Sequence, residues 1–112
     1  MSAAVDLTLA ALAEPSRRRV VEALREHPRA AGELAKIVGL SPPALSRHLK
    51  TLREAGLIYE SHPMFDARVR IYALKAEPMQ ELSRWLAQTE QMWADQLVMF
   101  KAHIESEPEP LR

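Results

Sequence analysis

Residues 40–57 read Leu-Ser-Pro-Pro-Ala-Leu-Ser-Arg-His-Leu-Lys-Thr-Leu-Arg-Glu-Ala-Gly-Leu, and this order of residue types favours one local structure above all others. Ser41 can cap a helix whose first two positions are prolines, where a missing amide hydrogen removes no helical bond. Leu40 and Leu45 stand at the two positions of a hydrophobic staple, which sets how the chain enters the helix. Leu45, Leu49 and Leu52 recur at helical spacing as a stripe to be buried. Pro43, Arg47 and Lys50 project from the other side, with Ser46 on the flank. Gly56 supplies a left-handed stop. The expected product is a helix over 41–55 with small and basic groups on its free face, which is what the major groove of a duplex accepts.

The segments around it extend the pattern. Residues 30–38 are expected to form a helix with Leu34, Ile37 and Val38 inward, broken by Gly39, so that helix, Gly-Leu-Ser turn and helix make a helix-turn-helix. Upstream, 4–13 carries Val5, Leu7, Leu9 and Leu12 among alanines as a short first helix. Pro15 opens a second, whose Val20, Val21 and Leu24 keep the helical period up to His27-Pro28. Arg17, Arg18 and Arg19 fall in its first turns, a poor place for cations beside the positive end of a helix dipole. They either face an external anion such as phosphate or pair with Glu14 and Glu22. Downstream of Gly56, Leu57-Ile58-Tyr59 and Arg68–Leu74 read as two strands joined by a hairpin loop over 62–67. Two strands behind a helix-turn-helix make a wing.

Glu77-Pro78 opens a last helix reaching to about Ser106, and the tail at 107–112 is expected to be disordered. Two apolar rows run along this helix: Leu82, Leu86, Trp93, Leu97, Phe100 and Ile104, and then Trp85, Met92, Gln96, Met99 and His103. At 1.5 Å per residue, roughly 29 residues span about 43 Å, longer than so small a domain can cover. Two rows require two surfaces, expected to be the protomer's own core for one and a second subunit for the other.

Composition sets the outer bounds. The 112 residues suit one domain, here 1–106 with dimerisation helices at about 4–13 and 78–106. No stretch approaches the length needed to span a bilayer. The N-terminus lacks the basic region of a secretory signal, so the expected location is cytoplasmic. With no cysteine in the chain, disulfides, thiolate metal sites and thiol redox sensing are excluded. The net charge of zero conceals an asymmetry. Residues 15–75 hold twelve Lys/Arg against six Asp/Glu, a balance of +6, whereas the flanks hold three against nine. A nucleic-acid binder needs a basic face rather than a basic whole.

From about Leu9 to Leu74 the chain resembles the ArsR-like winged-helix transcriptional regulators. The segments that carry the resemblance are Leu12-Ala13-Glu14-Pro15-Ser16-Arg17-Arg18-Arg19-Val20-Val21, Glu33-Leu34-Ala35, the run from Leu40 to Leu49, Leu52-Arg53-Glu54-Ala55-Gly56-Leu57-Ile58, and Asp66-Ala67-Arg68. The last helix, with Trp85-Leu86 and Trp93, is similar to a thiol-free subgroup of that family. The implied fold is mainly α with a small β-hairpin, a winged helix-turn-helix whose first and last helices form a dimer interface. The implied function is a homodimeric repressor on an inverted-repeat operator, relieved by a ligand or metal. Positions matching Pro42, Pro43, Ser46 and Arg47 then face DNA, and Arg68 is the wing arginine. Three departures stand out. Pro42 and Pro43 replace polar residues and can offer only apolar contact to a thymine methyl. Ala67 stands where the wing turn usually has glycine. The arsenic-sensor cysteine pair would fall near Ala30 and Gly32, neither of which can ligate, and His103 has no second histidine at turn spacing for a zinc or nickel site.

The DNA-facing candidates are therefore Ser41, Pro42, Pro43, Ser46, Arg47, His48, Lys50, Arg68, Arg70 and Arg17. Each has a plainer reading: Arg47 and Lys50 as a solvated face, Arg68 and Arg70 as partners of Asp66 or Glu60, His48 as a packed or phosphate-touching flank residue. The interface candidates are Leu7, Leu9, Trp85, Met92, Trp93, Met99, Phe100 and His103. His62 and His103 read as surface or interface histidines. No cofactor, metal or membrane partner is expected, and an unknown small-molecule effector stays open. The absence of a cysteine nucleophile, a glycine-rich phosphate loop or a paired acid–base constellation argues against an enzyme. The competing reading is a protein-interaction module without physiological DNA binding.

Overall fold

The computed structural model describes residues 3–62 and 68–106. Helices α1 (Ala3–Leu12), α2 (Pro15–Glu26), α3 (Ala31–Val38), α4 (Pro42–Glu54) and α5 (Ala76–Ser106) alternate with strands β1 (Arg29–Ala30), β2 (Ile58–Ser61) and β3 (Ile71–Leu74). The chain divides into two compact units, residues 1–82 and 83–112.

In the first unit the sheet has the order β1-β3-β2 and is antiparallel throughout. Ile58 faces Leu74, and Glu60 faces Tyr72. A third strand was not expected. β1 is two residues long, too short to carry a periodic pattern, and exists because Arg29 and Ala30 pair with Tyr72 and Ile71. The other two strands start later than their residue types suggest. Leu57 belongs to the end of α4, donating its amide to the Leu52 carbonyl at 3.0 Å while Gly56 donates to Arg53 at 2.9 Å. These are the paired bonds of a Schellman stop, and Gly56 has the positive φ (+78°) it requires. Gly39 (φ +74°) ends α3 in a related way, with the Gly39 and Leu40 amides both on the Ala35 carbonyl.

The core is built from Val20, Val21 and Leu24 of α2, Leu34 and Val38 of α3, the Leu45–Leu49–Leu52 stripe of α4, and Leu57, Ile58 and Tyr72. Burial of each large aliphatic side chain contributes about 1.5–3 kcal/mol. One expectation about an inward face fails. Ile37 is 50% exposed, because the buried face of α3 is shared by Ala31, Leu34, Ala35 and Val38 and Ile37 lies about 110° around the helix from its centre. On α1 the buried positions are Val5, Thr8 and Ala11, while Leu7 is 52% exposed and Leu9 half-buried. Thr8 satisfies its hydroxyl on the Ala4 carbonyl at 2.9 Å.

Arg29 is buried and fully partnered. Its Nε donates to the Ala23 carbonyl at 2.9 Å, one Nη reaches Glu26 at 2.6 Å, and the other reaches Glu33. It thereby ties the end of α2 to α3 through β1. A buried guanidinium holds only when its donors are satisfied in this way.

Along α5, Leu82 is buried and Met79 packs against the core, but Leu86, Met92, Trp93, Leu97, Met99, Phe100 and Ile104 are all exposed. Within the two rows Leu82 is buried and Trp85 half-buried, so the burial expected of a whole row is not found. Among the described residues no helix is long and apolar enough to cross a membrane.

Candidate nucleic-acid interface

The local chemistry of α4 fixes which of its faces is free. Ser41 Oγ accepts the Ala44 amide at 3.4 Å, and the prolines take the first two helical positions. With Leu45, Leu49 and Leu52 inward, the helical repeat forces Pro42, Pro43, Ser46, Arg47 and Lys50 to solvent, and all five are exposed. Thr51 donates its hydroxyl back to the Arg47 carbonyl at 3.2 Å. Neither Arg47 nor Lys50 forms an ion pair with another described residue. Two cations on a helix face with small residues beside them leave room for an approaching polyanion.

His48 is half-buried at the junction with α2. Its Nδ1 lies 3.4 Å from an Arg17 Nη and 3.9 Å from Glu14 Oε2. The arginine triplet has partners the sequence did not suggest. Arg17 Nε donates to the Ala11 carbonyl at 2.7 Å, and Arg18 donates to the Leu12 and Ala13 carbonyls at 2.8 and 3.1 Å. The carbonyl end of α1, with its unpaired acceptors and partial negative charge, takes two of the three guanidinium groups in place of Glu14 or Glu22. Arg19 turns to Ser16 at 3.2 Å. Glu14 instead caps α2, accepting the Arg17 amide at 3.0 Å. Desolvation is the largest influence on its carboxyl and pushes the pKa up, but the Arg17 amide, His48, the Ser16 amide and the Arg17 charge together hold it below the ordinary value.

On the wing side, Arg68 and Arg70 are exposed. Asp66 and Ala67, to which a pairing and a turn were assigned, lie outside the described residues. His62 Nδ1 is 3.1 Å from the Val69 carbonyl. Arg70 Nη1 stands 3.8 Å from Glu60 Oε2, and Arg53 at the end of α4 donates to Glu60 Oε1 at 2.8 Å. Burial first, then the negative charge of Glu60, pushes the Tyr72 phenol pKa up. A cleft of about 230 Å³ opens between α3, α4 and β3, with Pro42, Ser46 and Arg70 among its walls. Residues separated by up to 28 positions in sequence therefore share one side of the unit.

Arg53 and Glu60 were not singled out from sequence. Their contact spans the turn at Gly56, and only the register of β2 brings the glutamate back beside the helix end. Among the described residues no group of three or more His, Asp or Glu side chains could hold a metal ion.

Comparisons with known proteins agree with this geometry. The sequence profile described as "Bacterial regulatory protein, arsR family" matches residues 14–60, which run from α2 through β2. The HTH-type transcriptional regulator Rv2034 of Mycobacterium tuberculosis is 50% identical over 48 residues, covering 43% of this chain. The match spans less than half of that relative, 45% of its length. The transcriptional repressor SdpR of Bacillus subtilis is 26% identical over 68% of this chain and 81% of its own. A crystal structure of an ArsR family transcriptional regulator is 31% identical with a TM-score of 0.72, over 81% of this chain and 97% of that one. With the helix-turn-helix, the three-stranded wing and these relatives in hand, the chain belongs to the ArsR family of bacterial regulatory proteins, whose members act on DNA as transcriptional regulators rather than as enzymes.

Proposed function

We propose that the protein is a homodimeric, sequence-specific repressor that seats α4 of each protomer in a major groove of an inverted-repeat operator. The observation that carries this reading is the outer face of α4, where Pro42, Pro43, Ser46, Arg47 and Lys50 are all exposed beside Arg70. Ser46 and Arg47 contact base edges, the two prolines offer apolar contact to thymine methyls, and Ser41 and Lys50 with Arg68 and Arg70 hold phosphates. His48 lies at the edge of the contact, positioned by Arg17. That a relative is named a transcriptional repressor supports the direction of regulation.

The exposed apolar side chains of α5 support the dimer. Trp93 is 64% and Phe100 61% exposed, and Met92, Met99 and His103 are exposed with them. So continuous an apolar face is rare on a monomer. Leu7, Leu9 and Trp85 complete the expected interface. Twofold symmetry then sets the half-sites about one helical turn apart, or a multiple of it.

A mobility-shift titration tests the division of labour, using a duplex selected by the wild-type protein from a random pool and a scrambled duplex of the same length. Arg47→Ala is expected to abolish discrimination between the two. Arg68→Ala is expected to weaken binding to both alike. Equal behaviour of the two variants would refute the assignment. Binding that does not fall with salt would favour the protein-interaction module.

A further inference from the structure

Glu60 occupies an unusual place for an acidic side chain on a face read as DNA-binding. It sits three-quarters buried on β2, between Arg53 from the end of α4 and Arg70 just before β3. Its two oxygens are not equivalent. Oε1 accepts from Arg53 at 2.8 Å, a full charge-assisted hydrogen bond. Oε2 is buried, accepts no hydrogen bond of good geometry among the described residues, and meets Arg70 only at 3.8 Å, with the Tyr72 phenol beside the same carboxylate. A buried carboxylate oxygen without a well-placed donor is unfavourable. The loose side of the pair is the one that faces Arg70, and Arg70 also walls the cleft beside Ser46.

We propose that Glu60 is an affinity-setting positioning residue, which anchors the wing to α4 through Arg53 and competes with DNA phosphate for Arg70. The inference rests on the DNA-facing reading of α4 and the wing. On any duplex, a phosphate that engages Arg70 must draw it from Glu60 and approach a negative charge. The cost is common to the correct and the random duplex, so it lowers affinity for both and leaves the difference between them, which is specificity, to the base contacts of α4. The long contact to Arg70 suits an exchangeable partner, and the short one to Arg53 suits a permanent anchor.

The test is Glu60→Gln, which keeps the shape and the acceptor for Arg53 but removes the charge, titrated on the selected and scrambled duplexes at several salt concentrations. Affinity for scrambled DNA is expected to rise about two- to fivefold, the scale of one partly exposed ion pair. The dependence of log affinity on log salt should steepen by about 0.9, one further phosphate contact. Affinity for the selected duplex should rise by the same factor, leaving discrimination between the two unchanged. In an Arg70→Gln background the same change should have no effect on scrambled DNA, because the competing cation is gone. A drop in affinity for both duplexes with the salt slope unchanged would overturn the proposal by making Glu60 merely structural. So would an effect that persists in Arg70→Gln, or no effect at all while Arg47→Ala still loses discrimination. If Arg47→Ala changes nothing either, the DNA-facing reading itself has failed.

Discussion

Helix α4 and the second unit's stretch of α5 carry similar apolar periodicity but meet opposite fates. In α4 the chain supplies everything the pattern calls for: Ser41 and the prolines at the start, a core under the leucines, and Gly56 at the end. In residues 83–106 every large apolar side chain from Leu86 onward is exposed. Helical periodicity identifies the face that must leave water. It does not identify what covers that face, because a partner in the same chain and a partner in another chain leave the same trace in sequence.

The largest expected effect breaks or confirms this contrast directly. Leu52 is 0% exposed, and Leu52→Ala should lower unfolding stability by about 2–5 kcal/mol at any protein concentration, through lost burial and a cavity. Phe100→Ala should change unfolding measured at high dilution by less than about 0.5 kcal/mol, as a surface substitution does. It should instead weaken self-association about tenfold, the scale of a single anchor residue. Denaturant titrations at two concentrations, with sedimentation velocity, separate the two. If Phe100→Ala destabilises a dilute monomer as strongly as Leu52→Ala, the proposed second-subunit cover is wrong.

A smaller effect probes how α4 is finished. Gly56→Ala places a Cβ at φ +78° and should lose about 1–2 kcal/mol, although the space around it is open. Gly32 also has open space but sits inside α3 without a positive φ. Gly32→Ala should therefore gain about 0.5–1 kcal/mol from helix propensity. Thermal unfolding of the pair gives opposite signs if the left-handed stop is what matters, and the same sign if only the Cβ volume counts.

What was legible in sequence follows the same division. Interactions local in sequence were readable: the Ser41 cap, the leucine stripe, the Gly56 stop and the outward placement of Arg47 and Lys50. Interactions set by tertiary register were not. β1 exists only because β3 lies beside it, and the clamp of Arg29 on Ala23, Glu26 and Glu33 depends on that placement. The partners of Arg17 and Arg18 are carbonyls, which any residue provides and which no residue type can announce. Glu60 reaches Arg53 and Arg70 only through the turn and the strand pairing. Ile37 shows the limit within a single element: eight residues are too few for periodicity to choose between neighbouring positions on a helix.

The smallest effect is electrostatic and belongs to the α4 side of the comparison alone. Glu14 caps α2 and stands 3.9 Å from His48 of α4, and its carboxyl is held below its ordinary value. The unfolded chain therefore binds this proton more readily than the folded one, so stability should rise with pH between the two values. The contribution is complete above the unfolded carboxyl's ordinary value and is lost as pH falls through the folded one. Glu14→Gln should flatten that acid limb while leaving the neutral-pH baseline only slightly lower. An acid limb that Glu14→Gln leaves unchanged would mean that the acid sensitivity does not come from the junction of α2 with α4.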